Sequence, residues 1–129
     1  MTTITVKTTS RSEMIDITHD VERLIHADNV RNGFCYIFVP HTTAGITINE
    51  GADPSVRDDI VTTLNKLIPW EGGYRHREGN SAAHIKTTIV GSSETIAVQD
   101  GRLQLGTWQA IFFCEFDGPR TRKVHVHFF

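Results

Sequence analysis

The sequence predicts an α+β fold: one compact domain spanning residues 1–129, with a largely antiparallel sheet and two or three helices. Three observations predict it. Short apolar or alternating runs, the mark of strands, outnumber helical stripes. Two segments have helix-start chemistry, at Thr18 and at Asp53-Pro54, and they fall between strands rather than alternating regularly with them, which favours α+β over a parallel α/β fold. The length of 129 residues is that of one ordinary domain, typically ~100–150 residues, and 39% hydrophobic with 22% charged residues is a globular composition rather than a disordered one.

Residues 3–8 (TITVKT) alternate polar and apolar as a half-buried strand does, and 12–17 (SEMIDI) is placed to pair back on it as a hairpin. Thr18 is the expected N-cap of a helix whose Val21, Leu24 and Ile25 share a face, with Asp20 and Glu22 in the first turn. Asn32-Gly33 breaks the chain before the apolar strand FCYIFV, and AGITIN forms the next strand. Asp53-Pro54 opens a second helix, with Val56, Ile60, Leu64 and Leu67 as its buried stripe and Pro69 as its end. The glycine-rich loop WEGGYRHREGNS follows, then a short helix over 81–90 and strands over 94–98, 102–105, 107–116 and 121–128.

Composition also narrows function. Thirteen basic against fifteen acidic side chains give a net charge of −2, without the basic field that non-specific nucleic-acid binding needs. No apolar run reaches the ~20 residues of a membrane span, and MTTITVKTTSRSEM has no signal-peptide core, so a cytoplasmic location is expected. Cys35 and Cys114 both lie in apolar strands and read as buried, reduced thiols. Seven histidines are the one compositional oddity.

Four constellations have chemical potential. His41, His76 and His84 supply imidazoles of the type that hold catalytic zinc, with Glu50, Asp58, Asp59 and Glu78 as supporting carboxylates, although the spacing matches no compact zinc motif. His125 and His127 lie two apart on a strand and share a face; a half-exposed or interface role is the simpler assignment. Lys86, Arg120 and Arg122, with the hydroxyls of Thr42, Thr43, Ser92 and Ser93, form an anion-binding set for phosphate oxygens. No nucleotide-cradling glycine loop accompanies them. In LGTWQAIFF, Thr107 and Gln109 share a strand face opposite Trp108, and a buried Gln109 would need a ligand or a neighbouring subunit to satisfy its amide.

HTTAGITINE (41–50), DPSVRDD (53–59), HREGNSAAHIK (76–86) and SETIAVQDGRLQLGTWQAI (93–111) together resemble the YjbQ-like family, also called secondary thiamine-phosphate synthases. The last segment fits the family signature of a serine, two spaced aliphatics, a glycine and then GTWQ. The resemblance covers nearly the whole chain. It implies a YjbQ-like α+β fold and a homotrimer. It also implies an activity that joins a pyrimidine diphosphate to a thiazole phosphate and releases pyrophosphate. His41, His76 and His84 fall where the family has histidine, which strengthens the expectation of a divalent metal, zinc by its donor type. Arg120 and Arg122 fall where the family has a basic pair; His125 and His127 match no family motif. On this basis His41, His84 and Glu50 are the expected catalytic set, with Glu50 or one of Asp58 and Asp59 orienting a metal-bound histidine. Lys86, Arg120, Arg122 and Thr42 are the expected phosphate ligands. Two alternatives stay open: a metal-dependent phosphoester hydrolase, and a non-catalytic trimer that binds a metal or a small phosphorylated metabolite. A third role for the histidines is structural, at a subunit interface closed by the apolar terminus HVHFF.

Overall fold

The computed structural model describes residues 1–129. Eight strands and three helices follow in the order β1 (Thr2–Lys7), β2 (Glu13–Asp16), α1 (Thr18–Ala27), β3 (Gly33–Phe38), β4 (Ala44–Glu50), α2 (Pro54–Leu67), α3 (Ser81–Val90), β5 (Ser93–Gln99), β6 (Arg102–Leu103), β7 (Gln109–Glu115) and β8 (Thr121–Phe128). All strand pairs are antiparallel. A five-stranded sheet runs β1-β8-β3-β5-β6 and a three-stranded sheet runs β2-β7-β4.

The layers follow from side-chain parity. In the five-stranded sheet Val6, Cys35, Ile37, Ile96, Val98, Val124 and Val126 point to one face, where they meet Ala44, Ile46, Ile111 and Phe113 of the other sheet and Val21 and Ile25 of α1. The reverse face of the three-stranded sheet presents Met14, Ala110, Phe112 and Cys114 to α2 and α3. Strand β7 is therefore buried on both faces, which is why AIFFC reads as a continuous apolar run instead of alternating. Both cysteines are buried and free, and burial pushes each thiol up to about 12.

Several boundary expectations are corrected. Strand β2 pairs with β7, Met14 opposite Cys114, and not with β1, whose partner is β8. Thr8 ends β1 by donating to Glu115 and the Arg120 carbonyl, and the chain then crosses to the second sheet. Thr18 is the first residue of α1 and not its cap: Asp16 Oδ1 accepts from its amide at 2.9 Å, while its hydroxyl accepts from Ile111 N at 2.9 Å and pins the helix to β7. Asp53 does cap α2, accepting from Ser55 N at 2.9 Å with Pro54 following. The stripe on α2 is only half buried, because the helix covers a narrow sheet: Ile60, Val61 and Leu64 pack on the second core and Leu67 is 72% exposed. Strand β7 starts at Gln109 because residues 106–109 form a turn, with Gln109 N donating to the Gly106 carbonyl and Gly106 N to Gln109 Oε1 at 2.8 Å. Gln109 is consequently exposed, with its Oε1 held within the turn, and Trp108 is 65% exposed.

Candidate functional site

His41 sits in the connection between β3 and β4. Strand β3 pairs with β8 only from Phe38 opposite His125 onward, so the Lys123 amide lies beyond the reach of that ladder. His41 Nε2 accepts from it at 2.9 Å, which places the ring proton on Nδ1 in the neutral form. Partial burial, reinforced by the nearby Arg122 charge, lowers the His41 pKa below 6.5, against the opposing influence of Glu115. His41 is thus a neutral imidazole at neutral pH.

His84 projects from α3 into two adjoining cavities. One, of about 430 Å³, is lined by His41, Thr42, His84, Thr87, Thr88, Gly91 and Ser92 and contains no hydrophobic side chain. The Thr87 hydroxyl in this set is buried and makes no hydrogen bond. The other, of about 410 Å³, takes Tyr74, Arg75, His76, Ser81, His84 and Ile85. His76 meets His84 edge to face with ring centroids 5.6 Å apart, and Glu78 stands 3.8 Å from His76 Nε2 with both side chains open to solvent. His84 therefore shares one cavity with His41 and the other with His76.

The other expected residues are dispersed. Glu50 lies at the opposite end of β4 from His41, about 20 Å along the strand from Ala44, and its carboxylate accepts from Ala52 N at 2.7 Å. Gln109 is its cross-strand partner, and Trp108 accepts at its carbonyl from Gly51 N, so the GTWQ turn belongs to that far end. Asp58 is on the exposed side of α2. In one chain, Glu50 and Asp58 do not reach the histidines. No three His, Cys, Asp or Glu side chains converge to hold a metal ion, and His41 has its Nε2 lone pair engaged by Lys123.

The basic set divides three ways. Arg120 is exposed and bonds Asp117 through Nη2 at 3.0 Å. Arg122 is 5% exposed, with Nε and Nη2 on Glu115 at 2.9 and 2.5 Å and Nη2 also on Thr43 Oγ1 at 2.8 Å. A phosphate would have to displace that buried pair. Lys86 is 2% exposed and donates to Asn65 Oδ1 at 2.5 Å. It lies two residues beyond His84, roughly 200° around the helix, and so enters the second core and not the histidine cleft. Sequence reasoning missed Glu115, Arg11, Asn65 and Trp70, each of which contacts one of these cations or its surroundings.

The sequence matches the family described as UPF0047 protein YjbQ-like over residues 2–129. The chain belongs to this family. It is 53% identical over 125 residues to the UPF0047 protein YugU of Bacillus subtilis, covering 96% of this chain and 95% of that one. To a UPF0047 protein of Methanocaldococcus jannaschii it is 54% identical over 121 residues, covering 94% and 88%. An uncharacterised conserved YjbQ/UPF0047 protein of Clostridium acetobutylicum superposes with a TM-score of 0.98 at 50% identity, covering 100% of both chains. A hypothetical protein of Aeropyrum pernix gives 0.95 at 41% identity, covering 99% and 96%. The YjbQ-like fold expected from the sequence is thereby established. No helix of the chain is long and apolar enough to cross a membrane.

Proposed function

We propose that this chain is the subunit of an enzyme acting on a small phosphorylated metabolite, with its reacting groups drawn from the histidines around α3. The observation that supports this is the sharing of His84 by two adjoining cavities, one with His76 and the other with His41 in its lining. Hydroxyls of Thr42, Thr87, Thr88 and Ser92 border one cavity and Arg75 the other, a donor-rich lining suited to phosphate oxygens.

The specific reaction is the one implied by the family resemblance, transfer of a pyrimidine methylene from pyrophosphate to the nitrogen of a thiazole phosphate. The bond from methylene carbon to pyrophosphate oxygen breaks as the carbon–nitrogen bond forms, and negative charge grows on the departing oxygen. Arg75 and the imidazole N–H groups of His76 and His84 are the donors that stabilise it; pre-set donors of this type lower barriers by several kcal/mol, about 3–4 per donor in well-studied sites. His41, neutral and anchored on Lys123, offers Nδ1–H as a fixed hydrogen-bond donor.

The residues of one chain do not fit a three-histidine metal centre. His76 and His84 are the only adjacent imidazole pair among the three. With a further donor from a second copy they would suit zinc, the ion that imidazole donors favour in such sites. A second copy has another role here. In a closed homotrimer head-to-tail contacts set two different patches of the chain together, and we propose that the Glu50, Trp108 and Gln109 end of one subunit meets the histidine end of the next. Two buried, reduced thiols accord with a cytoplasmic setting.

Purified protein assayed for thiamine-phosphate formation and for phosphoester hydrolysis, with metal content measured on the same sample, tests this function. Alanine at His84 is expected to lower the active rate by about 100-fold or more with circular dichroism unchanged. Equal rates in the wild type and His84→Ala, or no turnover above background in either assay, would instead favour the non-catalytic binding trimer. Hydrolysis without transfer would select the phosphoesterase.

A further inference from the structure

The opposite face of α3 bears a second feature. Lys86 is buried, yet its ammonium has a single neutral acceptor, Asn65 Oδ1, and otherwise faces the ring of Phe116 at 5.9 Å. An ammonium has three N–H donors, and a buried cation without a counter-charge is costly. No carboxylate forms an ion pair with it. The charge it does feel is Arg11, of the same sign, and burial together with Arg11 lowers its pKa. Arg11 stands in the connection between β1 and β2 with its guanidinium 4.2 Å over the Trp70 ring. Ser10, Arg11, Ser12, Asn65, Trp70 and Lys86 line a cavity of about 380 Å³ that contains two cations, two hydroxyls and no acid.

This cavity adjoins a second one. Ser12 and Asn65 also line an apolar chamber of about 260 Å³, walled by Met14, Ile60, Val61, Leu64, Val90 and Phe116. The chamber explains why α2 has no fully buried residue although it lies over the sheet. A cationic mouth opening on an apolar chamber is complementary to a molecule with an anionic head and an apolar body.

We propose that this composite cavity, between α2, α3 and the β1–β2 connection, binds a small amphiphilic anion: a phosphate or carboxylate held by Lys86, Arg11 and the Ser10 and Ser12 hydroxyls, with an aromatic or aliphatic body in the chamber. It is separate from the histidine cleft and does not depend on the function assigned there.

Isothermal titration of the full chain with phenyl phosphate, phenylacetate, inorganic phosphate and phenol tests it. At least one of the two amphiphilic anions is expected to bind saturably, about tenfold or more tighter than inorganic phosphate or phenol. The tighter of the pair identifies the head group. Arg11→Ala, a surface change, and Lys86→Met, which keeps volume while removing the buried charge, are each expected to weaken that binding about tenfold or more. His84→Ala is expected to leave it unchanged. Binding unaffected by Arg11→Ala, binding lost in His84→Ala, or both amphiphilic anions no tighter than inorganic phosphate would overturn the proposal. Arg11→Ala gives the decision should Lys86→Met fail to fold.

Discussion

Glu115 continues the parity of Ile111 and Phe113 on β7 and so points between the two sheets, where it is fully buried. Its carboxylate accepts from Thr8, from Arg122 twice and from the Phe116 and Asp117 amides. Burial alone would raise its pKa, but these hydrogen bonds and the Arg122 charge outweigh it and hold the group below its ordinary 4.5. Arg122 also binds Thr43, two residues from His41, and so ties the β3–β4 connection that carries His41 to β8. Glu115→Gln is expected to cost about 3–5 kcal/mol in urea unfolding, since it strands a buried guanidinium. Glu115→Gln with Arg122→Met should cost less than the two single changes summed. The carboxylate's folded pKa is depressed, so its stabilisation is present above pH 4.5 and is lost as pH falls through the lowered value. A wild-type stability equal to that of Glu115→Gln at pH 7 would refute the assignment. Strand alternation was sufficient to place Arg122: it shares the parity of Val124 and Val126, which are inward. Residue type alone, which makes Arg122 an expected phosphate ligand, does not distinguish a guanidinium open to a ligand from one paired with a buried carboxylate.

At the scale of elements, α2 and α3 show what one sequence can and cannot disclose. The start of α2 was legible because Asp53-Pro54-Ser55 has its capping chemistry within three residues, and Asp53 Oδ1 takes both the Ser55 amide and its hydroxyl. The packing of α2 was not legible. Spacing identifies a stripe but not how much sheet lies beneath it, and here a cavity replaces part of the core. The same holds for α3: His84 and Lys86 fall in one sequence segment, HREGNSAAHIK, but the helix turns them to opposite faces. Pairing of β2 with β7 was equally hidden, because nothing local distinguishes it from a hairpin with β1. With no fully buried side chain, α2 depends more than α1 on its cap. Asp53→Ala is expected to raise amide exchange over residues 55–58 while leaving the amides of β7 protected, as measured by hydrogen exchange. The Ser55 hydrogen bonds lower the Asp53 pKa below 3.8, so the cap persists above that pH and fails as pH falls through the lowered value. Unchanged exchange at neutral pH would show that half-buried Ile60, Val61 and Leu64 suffice.

For the whole molecule, the decisive question is what covers the outer face of the five-stranded sheet. Phe34, Tyr36 and Phe38 of β3 lie beside His127 and His125 of β8 on that face, and Phe129 follows. Phe34 is 48% exposed and Phe129 65%, their ring centroids 5.7 Å apart, while His127 stacks on Phe129 and His125 on Phe38. A contiguous aromatic strip of this kind on a sheet favours burial against another copy. The two histidines the family motifs did not absorb are thus members of an aromatic surface, with His125 also bonded to Thr3. Removing Phe128 and Phe129 altogether is a blunt test, because the Phe129 backbone exchanges hydrogen bonds with Phe34 and closes the sheet. Phe34→Ser with Phe129→Ser keeps that backbone. Light scattering is expected to give three times the 14.5 kDa chain mass for the wild type and a lower mass for the double variant, with the far-ultraviolet spectrum retained. A wild-type monomer would remove the means by which the far-end Glu50 and GTWQ turn could complete the histidine cleft. An unaltered trimer in the double variant would show that the aromatic strip lies outside the subunit contact.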